Sequence, residues 1–213
     1  MTAAEQFAAH AIDTRFAYLP AEARQRAAVY ILDSLGVGIA RSSVDGGQGL
    51  LRVASGWGEP AVSVWGRKAR LSAPAAAFLN AWQMHNQEFD CLHEGAVVHA
   101  MASVLPAALA AAELRGQVSG AELMVAVAVG VDVAASLGLA ARAGFRFFRP
   151  ATAGGFGAVA AAGRILGLDH KALEGGLRLA TRASQRHDAG SCRRKSDPSG
   201  PGRLQRACRH AIL

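Results

Sequence analysis

Cysteine is scarce in this chain. Cys91, Cys192 and Cys208 are the three among 213 residues, and they form neither a CxxC pair nor an even-numbered framework. That excludes a disulfide scaffold and a cysteine-held zinc module, and it indicates a reducing compartment. The opening residues, Met1–Phe16, carry Glu5, Asp13 and Arg15 and lack the apolar run of a signal peptide, so the expected location is cytoplasmic. Aromatic residues supply only 6% of the chain, which leaves core-building to small aliphatic side chains. A basic stripe is also missing. Of the net charge of +7, five charges come from the stretch after Gln185, where seven Arg and Lys face only Asp188 and Asp197. The residues before it are nearly neutral, which argues against specific nucleic-acid binding.

What the chain has in quantity is small apolar residues. Apolar types reach 51%, Ala foremost, with 24 Gly besides, enough to bury the core of one generous domain or two small ones. Small residues suit helices whose backbones nearly touch. Periodicity predicts helices over Ala3–Phe16, from Pro20 past Leu35, up to Ala54, over Ala73–His85, Val98–Leu114, Ser119–Ala141, Thr152–Leu166 and Asp169–Ala183. Gly36 and Gly38 mark close packing or a stop, Pro106 bends or splits its helix, and Gly116 ends it. Ser119-Gly-Ala-Glu122 is a capping box. Only Ala61–Trp65 alternates as a strand does. The expected fold class is therefore all-α. Leu123–Ala141 has Asp132 as its sole charge and would pass for a membrane span. An aspartate near the centre of such a span costs roughly 2.5–3.5 kcal/mol, so a core helix is the better reading and no membrane partner is expected.

After Gln185 the apolar period stops, and Arg, Ser, Cys, His, Pro and Gly take over. Residues 1–185 read as one helical domain, and 186–213 as a disordered basic tail or an out-of-frame stretch. Codons can be chosen for Arg186–Arg209 so that a one-base shift begins Gly-Met-Met-Gln.

The densest set of ionisable groups lies between the two helix groups: His85, Glu88, Asp90, Cys91, His93, Glu94 and His99. Three readings compete. A metal site has the right ligand types, but His93-Glu94 and His99 miss the spacing that puts two His on one helical turn. A solvated loop is the blandest reading. An acid–base cleft fits best, because burial between apolar helices moves such groups toward neutral pKa values. No metal is expected.

The order of the motifs adds a resemblance. NAWQMHNQEFDCLHEGAVVHAMASVLP from Asn80 to Pro106, Ile31-Leu-Asp-Ser-Leu-Gly-Val, Thr152-Ala-Gly-Gly-Phe-Gly-Ala and Gly163-Arg-Ile-Leu-Gly-Leu-Asp169 together resemble the MmgE/PrpD family. That resemblance implies a helical, bundle-like domain whose companion α/β lid domain is missing here, and a homodimer in the full-length form. It also implies cofactor-independent lyase or epimerase chemistry on a small polycarboxylate: dehydration, decarboxylation or epimerisation. Carried over by motif, Glu88 takes the place of the first loop acid, Asp90 is kept, and Cys91 and Leu92 replace an acid and a threonine. His93 and His99 are kept. The expected roles are His99 as base or acid, Asp90 orienting it, Glu88 or His93 as its partner, and Arg149 as a fork for a substrate carboxylate. His85 borders the substrate or packs at its helix end. The competing expectation is a non-catalytic helical fragment or interaction remnant.

Overall fold

The computed structural model describes residues 1–141 and 149–195, with the side chains of 149, 150, 183 and 185–195 outside the description. Among the described residues the chain forms eight α-helices and one small hairpin, as the all-α expectation requires. The helices are α1 (Ala3–Asp13), α2 (Ala21–Ala40), α3 (Gly47–Ala54), α4 (Ala73–His85), α5 (Ala100–Arg115), α6 (Gly120–Ala140), α7 (Arg149–Ile165) and α8 (His170–Lys195).

Caps set several of the boundaries. Thr2 and Glu5 close a capping box on α1, and Ser119 and Glu122 close the expected one on α6. The first helix stops at Asp13 rather than Phe16, because Thr14 turns extended and its hydroxyl donates to the His10 carbonyl. α5 runs unbroken through buried Pro106, so the proline does not split it, and Gly116 ends it at a positive φ of 69°. The final helix passes Ala183 and reaches Lys195. Loss of an apolar period ends packing information, whereas Gln, Arg, Ala and Lys remain good helix formers.

The strand-like segment is shorter than its alternation suggests. Val62–Ser63 (β1) pairs antiparallel with Arg70–Leu71 (β2), a partner that no pattern announces. Two buried amides on α4 hold the hairpin in place. Asn80 accepts from the Trp65 N–H at 3.0 Å and donates to the Ser63 carbonyl at 3.1 Å. Gln83 donates to the Trp65 carbonyl and accepts from Arg67. Gly38 lets α2 approach the Trp65 ring, where an added Cβ would come within 2.8 Å.

The core centres on α5, α6 and α7. Met84, Val104, Leu105, Ala126, Val127 and Ile165 are buried together there. Full burial of a side chain such as Leu105 stabilises by about 1.5–3 kcal/mol. α6 and α7 nearly touch at Gly130 and Gly157, where a Cβ on Gly130 would stand 2.8 Å from the Gly157 carbonyl. α6 is long and apolar enough to cross a membrane, and half of its apolar stretch is buried in this bundle. Its Asp132 pairs with His10 of α1 at 3.2 Å. His170 makes a similar surface pair with Asp13. A long connection, 86–99, crosses from the end of α4 to the start of α5.

Candidate active site

α4 ends on His85, and α5 begins just after His99, its N-cap. The connection folds back between them and carries Asp90 inward, with no solvent exposure of its side chain. A buried carboxylate needs partners to remain ionised. Asp90 has two: Oδ1 lies 3.0 Å from His85 Nδ1, and Oδ2 lies 3.2 Å from His99 Nδ1. The two imidazoles are tilted at 59°, with ring centroids 4.8 Å apart.

The partners fix the tautomers. His99 Nδ1 also stands 3.2 Å from the Asp90 main-chain carbonyl, which can only accept, so Nδ1 carries the proton. The carboxylate demands the same of His85 Nδ1. Each neutral ring therefore keeps its lone pair on Nε2. The hydrogen bond to Asp90 raises the pKa of His85 above 6.5, against the opposing effect of burial, and the charges of Asp90 and Glu88 add to the rise. One aspartate thus aligns two bases, His85 through its carboxylate and His99 through its main-chain carbonyl, and His85 holds its proton more firmly than usual.

The backbone of this connection is strained. Glu88 has φ +54° and Val97 has φ +53°, the latter a genuine outlier for a β-branched residue. Such positions cost about 1–3 kcal/mol each and persist where surrounding contacts enforce them. Here a bridge between His93 and Val98 pinches the connection. His93 spends its Nδ1 on the Ala96 N–H at 3.1 Å. It borders a second cavity, with Arg26, Tyr30 and Asp132, rather than joining the His85–Asp90–His99 cluster. Glu88 is exposed and reaches His85 through its charge. Arg149 opens α7, but its side chain lies outside the described residues. Cys91 is half-buried beside Asp90, and burial first, then the Asp90 charge, pushes its thiol pKa up.

His85, Asp90 and His99 are also the described residues that could hold a metal ion, with ligand atoms spread over up to 4.8 Å. Two ligands at about 2.1 Å from one ion stand at most ~4.2 Å apart, so binding would require the rings to draw together. It would also displace both hydrogen bonds to Asp90.

A cavity of about 350 Å³ opens beside His85, between α4 and α5, and its lining includes Trp82, Asn86, Ser103 and Ala151. Asn86 had no place in the sequence argument. Both polar atoms of its side-chain amide are closed to solvent without a hydrogen-bond partner, which costs about 1–3 kcal/mol. Only its position one residue after His85 could have drawn attention to it.

A family model, the MmgE/PrpD N-terminal domain, matches residues 5–194. The chain belongs to the MmgE/PrpD family. This MmgE/PrpD domain is 33% identical over 147 residues to cis-aconitate decarboxylase of Mus musculus, covering 65% of the chain and 30% of the relative. It is 30% identical over 189 residues to cis-aconitate decarboxylase of Homo sapiens, covering 83% and 38%. The cis-aconitate decarboxylase-like protein oryM of Aspergillus oryzae is 32% identical over 130 residues, covering 57% and 27%. The chain thus spans between about a quarter and two fifths of the curated relatives it matches. The MmgE/PrpD match takes in the whole 86–99 connection and continues past Gln185.

Proposed function

We propose that this chain is the helical part of a cofactor-independent lyase that removes a proton next to a carboxylate of a small polycarboxylate. The observation that carries the reading is buried Asp90 aligning two imidazoles, His85 by its carboxylate and His99 by its main-chain carbonyl. In this mechanism His99 Nε2 takes the proton, and the electron pair moves to the carboxylate-bearing carbon. The pair then forms a carbon–carbon double bond while the neighbouring C–O bond breaks and its own pair leaves with the hydroxyl, or it takes up a proton again on the other face. In a decarboxylation no proton is removed first, and the pair of the broken C–C bond is protonated instead. His85, whose protonated form Asp90 favours, is the acid: its Nδ1–H stays on Asp90 and its Nε2–H meets the departing or reprotonated group. It takes the partner role expected of Glu88 or His93. Glu88 tunes His85 by charge, and Arg149 is the proposed carboxylate fork. The names of the relatives favour a polycarboxylate such as cis-aconitate. No metal or organic cofactor enters this mechanism.

The test is solvent-deuterium uptake into citrate-like acids and cis-aconitate, followed by NMR alongside alkene absorbance. Exchange that disappears in His99→Gln supports the reading; unchanged exchange in that variant sinks it.

A second reading is a non-catalytic helical module. It is favoured by apolar side chains left open on α2, among them Tyr30, Leu32 and Ile39. A folded chain with neither exchange nor turnover would favour it. Under the first reading, a second copy of the full-length form is the proposed partner for such a face.

A further inference from the structure

We propose that Asn86 is a specificity-determining residue whose amide reads a carboxylate flanked by a hydrogen-bond donor, as in a 2-hydroxy or 2-amino acid. The inference rests on the lyase reading above and narrows its substrate class, away from an acid such as cis-aconitate that has no donor beside its carboxylates and toward the citrate-like hydroxy acids.

Three observations meet at this residue. Its Nδ2 and Oδ1 are both buried and unpartnered, so the amide lacks an acceptor and a donor together. It lines the same cavity as His85, one end of the acid–base cluster. The rest of that lining is largely apolar, with Phe78, Trp82, Ala102 and Ala151 beside Ser103. Pockets of this kind fix orientation through a few placed polar groups while the walls supply shape.

The chemistry of an amide then selects the ligand. A bare carboxylate offers only acceptors; it can serve the NH2 but leaves Oδ1 facing another oxygen. A hydroxyl or amine on the adjacent carbon supplies the missing donor, so both ends of Asn86 are satisfied at once. A site built to bond such a group discriminates against the analogue lacking it, because its own buried polar atoms are left unpaired.

The test compares malate, aspartate and succinate, which share one four-carbon skeleton and differ by a hydroxyl, an amine or a hydrogen. Binding to the whole 213-residue chain is measured by calorimetry. The expected result is that malate or aspartate binds about tenfold more tightly than succinate, one hydrogen bond's worth of preference. The tighter of the two identifies the donor as hydroxyl or amine. Asn86→Leu should erase the preference while raising the melting temperature of the unliganded chain, since it removes an unpaired buried amide. Asn86→Asp, nearly the same shape but without the donor, should weaken all three acids and serves if the leucine variant misfolds. Equal binding of the three acids, as a lone trapped water at Asn86 would give, overturns the inference but leaves the lyase reading standing. A preference that persists in Asn86→Leu also overturns it. Binding of none of the three overturns the inference, while the lyase reading stands or falls by its own exchange test with citrate-like acids and cis-aconitate.

Discussion

The bundle of α5, α6 and α7 and the 86–99 connection solve opposite problems with opposite residues. In the bundle, Gly130 and Gly157 are needed because nothing larger fits between two helix backbones. In the connection, Glu88 and Val97 occupy left-handed conformations where glycine would fit more easily, and the chain carries side chains there regardless. The bundle buries apolar area without strain; the connection accepts strain and buries a carboxylate. Strain held in place by its surroundings marks where position outweighs stability, and that is where Asp90 meets its two histidines.

The sharpest way to break this comparison is to exchange the residues. Gly157→Val should lower unfolding free energy by about 3 kcal/mol in urea titrations, because its Cβ would meet the Gly130 carbonyl and Val104. Glu88→Gly should stay within about 1 kcal/mol of wild type, since relief of a left-handed residue offsets glycine's greater chain entropy. Equal losses at both positions would erase the distinction between the two regions.

A smaller effect concerns pH. The folded-state pKa of His85 lies above its ordinary 6.5, raised by Asp90, so its contribution to stability is complete below 6.5. That contribution is lost as pH rises through the folded pKa. The melting-temperature gap between wild type and His85→Gln should therefore narrow as pH climbs above 6.5. A gap that widens would reverse the sign assigned to the pair.

Much of the bundle was legible because packing against a common core imposes a period on each helix. Ala73–His85 was located to the residue, and the Ser119 box opens α6 as its spacing indicates. The hairpin was only half legible: β2 is two residues long, and the Asn80 and Gln83 amides that fix it lie far from it in sequence. At the site, composition identified the right connection but not its internal geometry. His85, Asp90 and His99 are five and nine residues apart and meet only because the chain folds back through positive φ angles. His93 has the same side chain as its neighbours in that motif, yet a local bond to the Ala96 N–H occupies it. The unpaired amide of Asn86 is a property of its surroundings, which no sequence pattern encodes.

The most direct test of the account is an NMR titration of His85 in wild type and in Asp90→Asn. Coupling through the buried carboxylate predicts a midpoint above 6.5 in wild type and a fall to 6.5 or below in the variant, where burial outweighs the remaining charge of Glu88. A His85 that titrates identically in both proteins would contradict the shared-carboxylate site and the acid–base chemistry built on it.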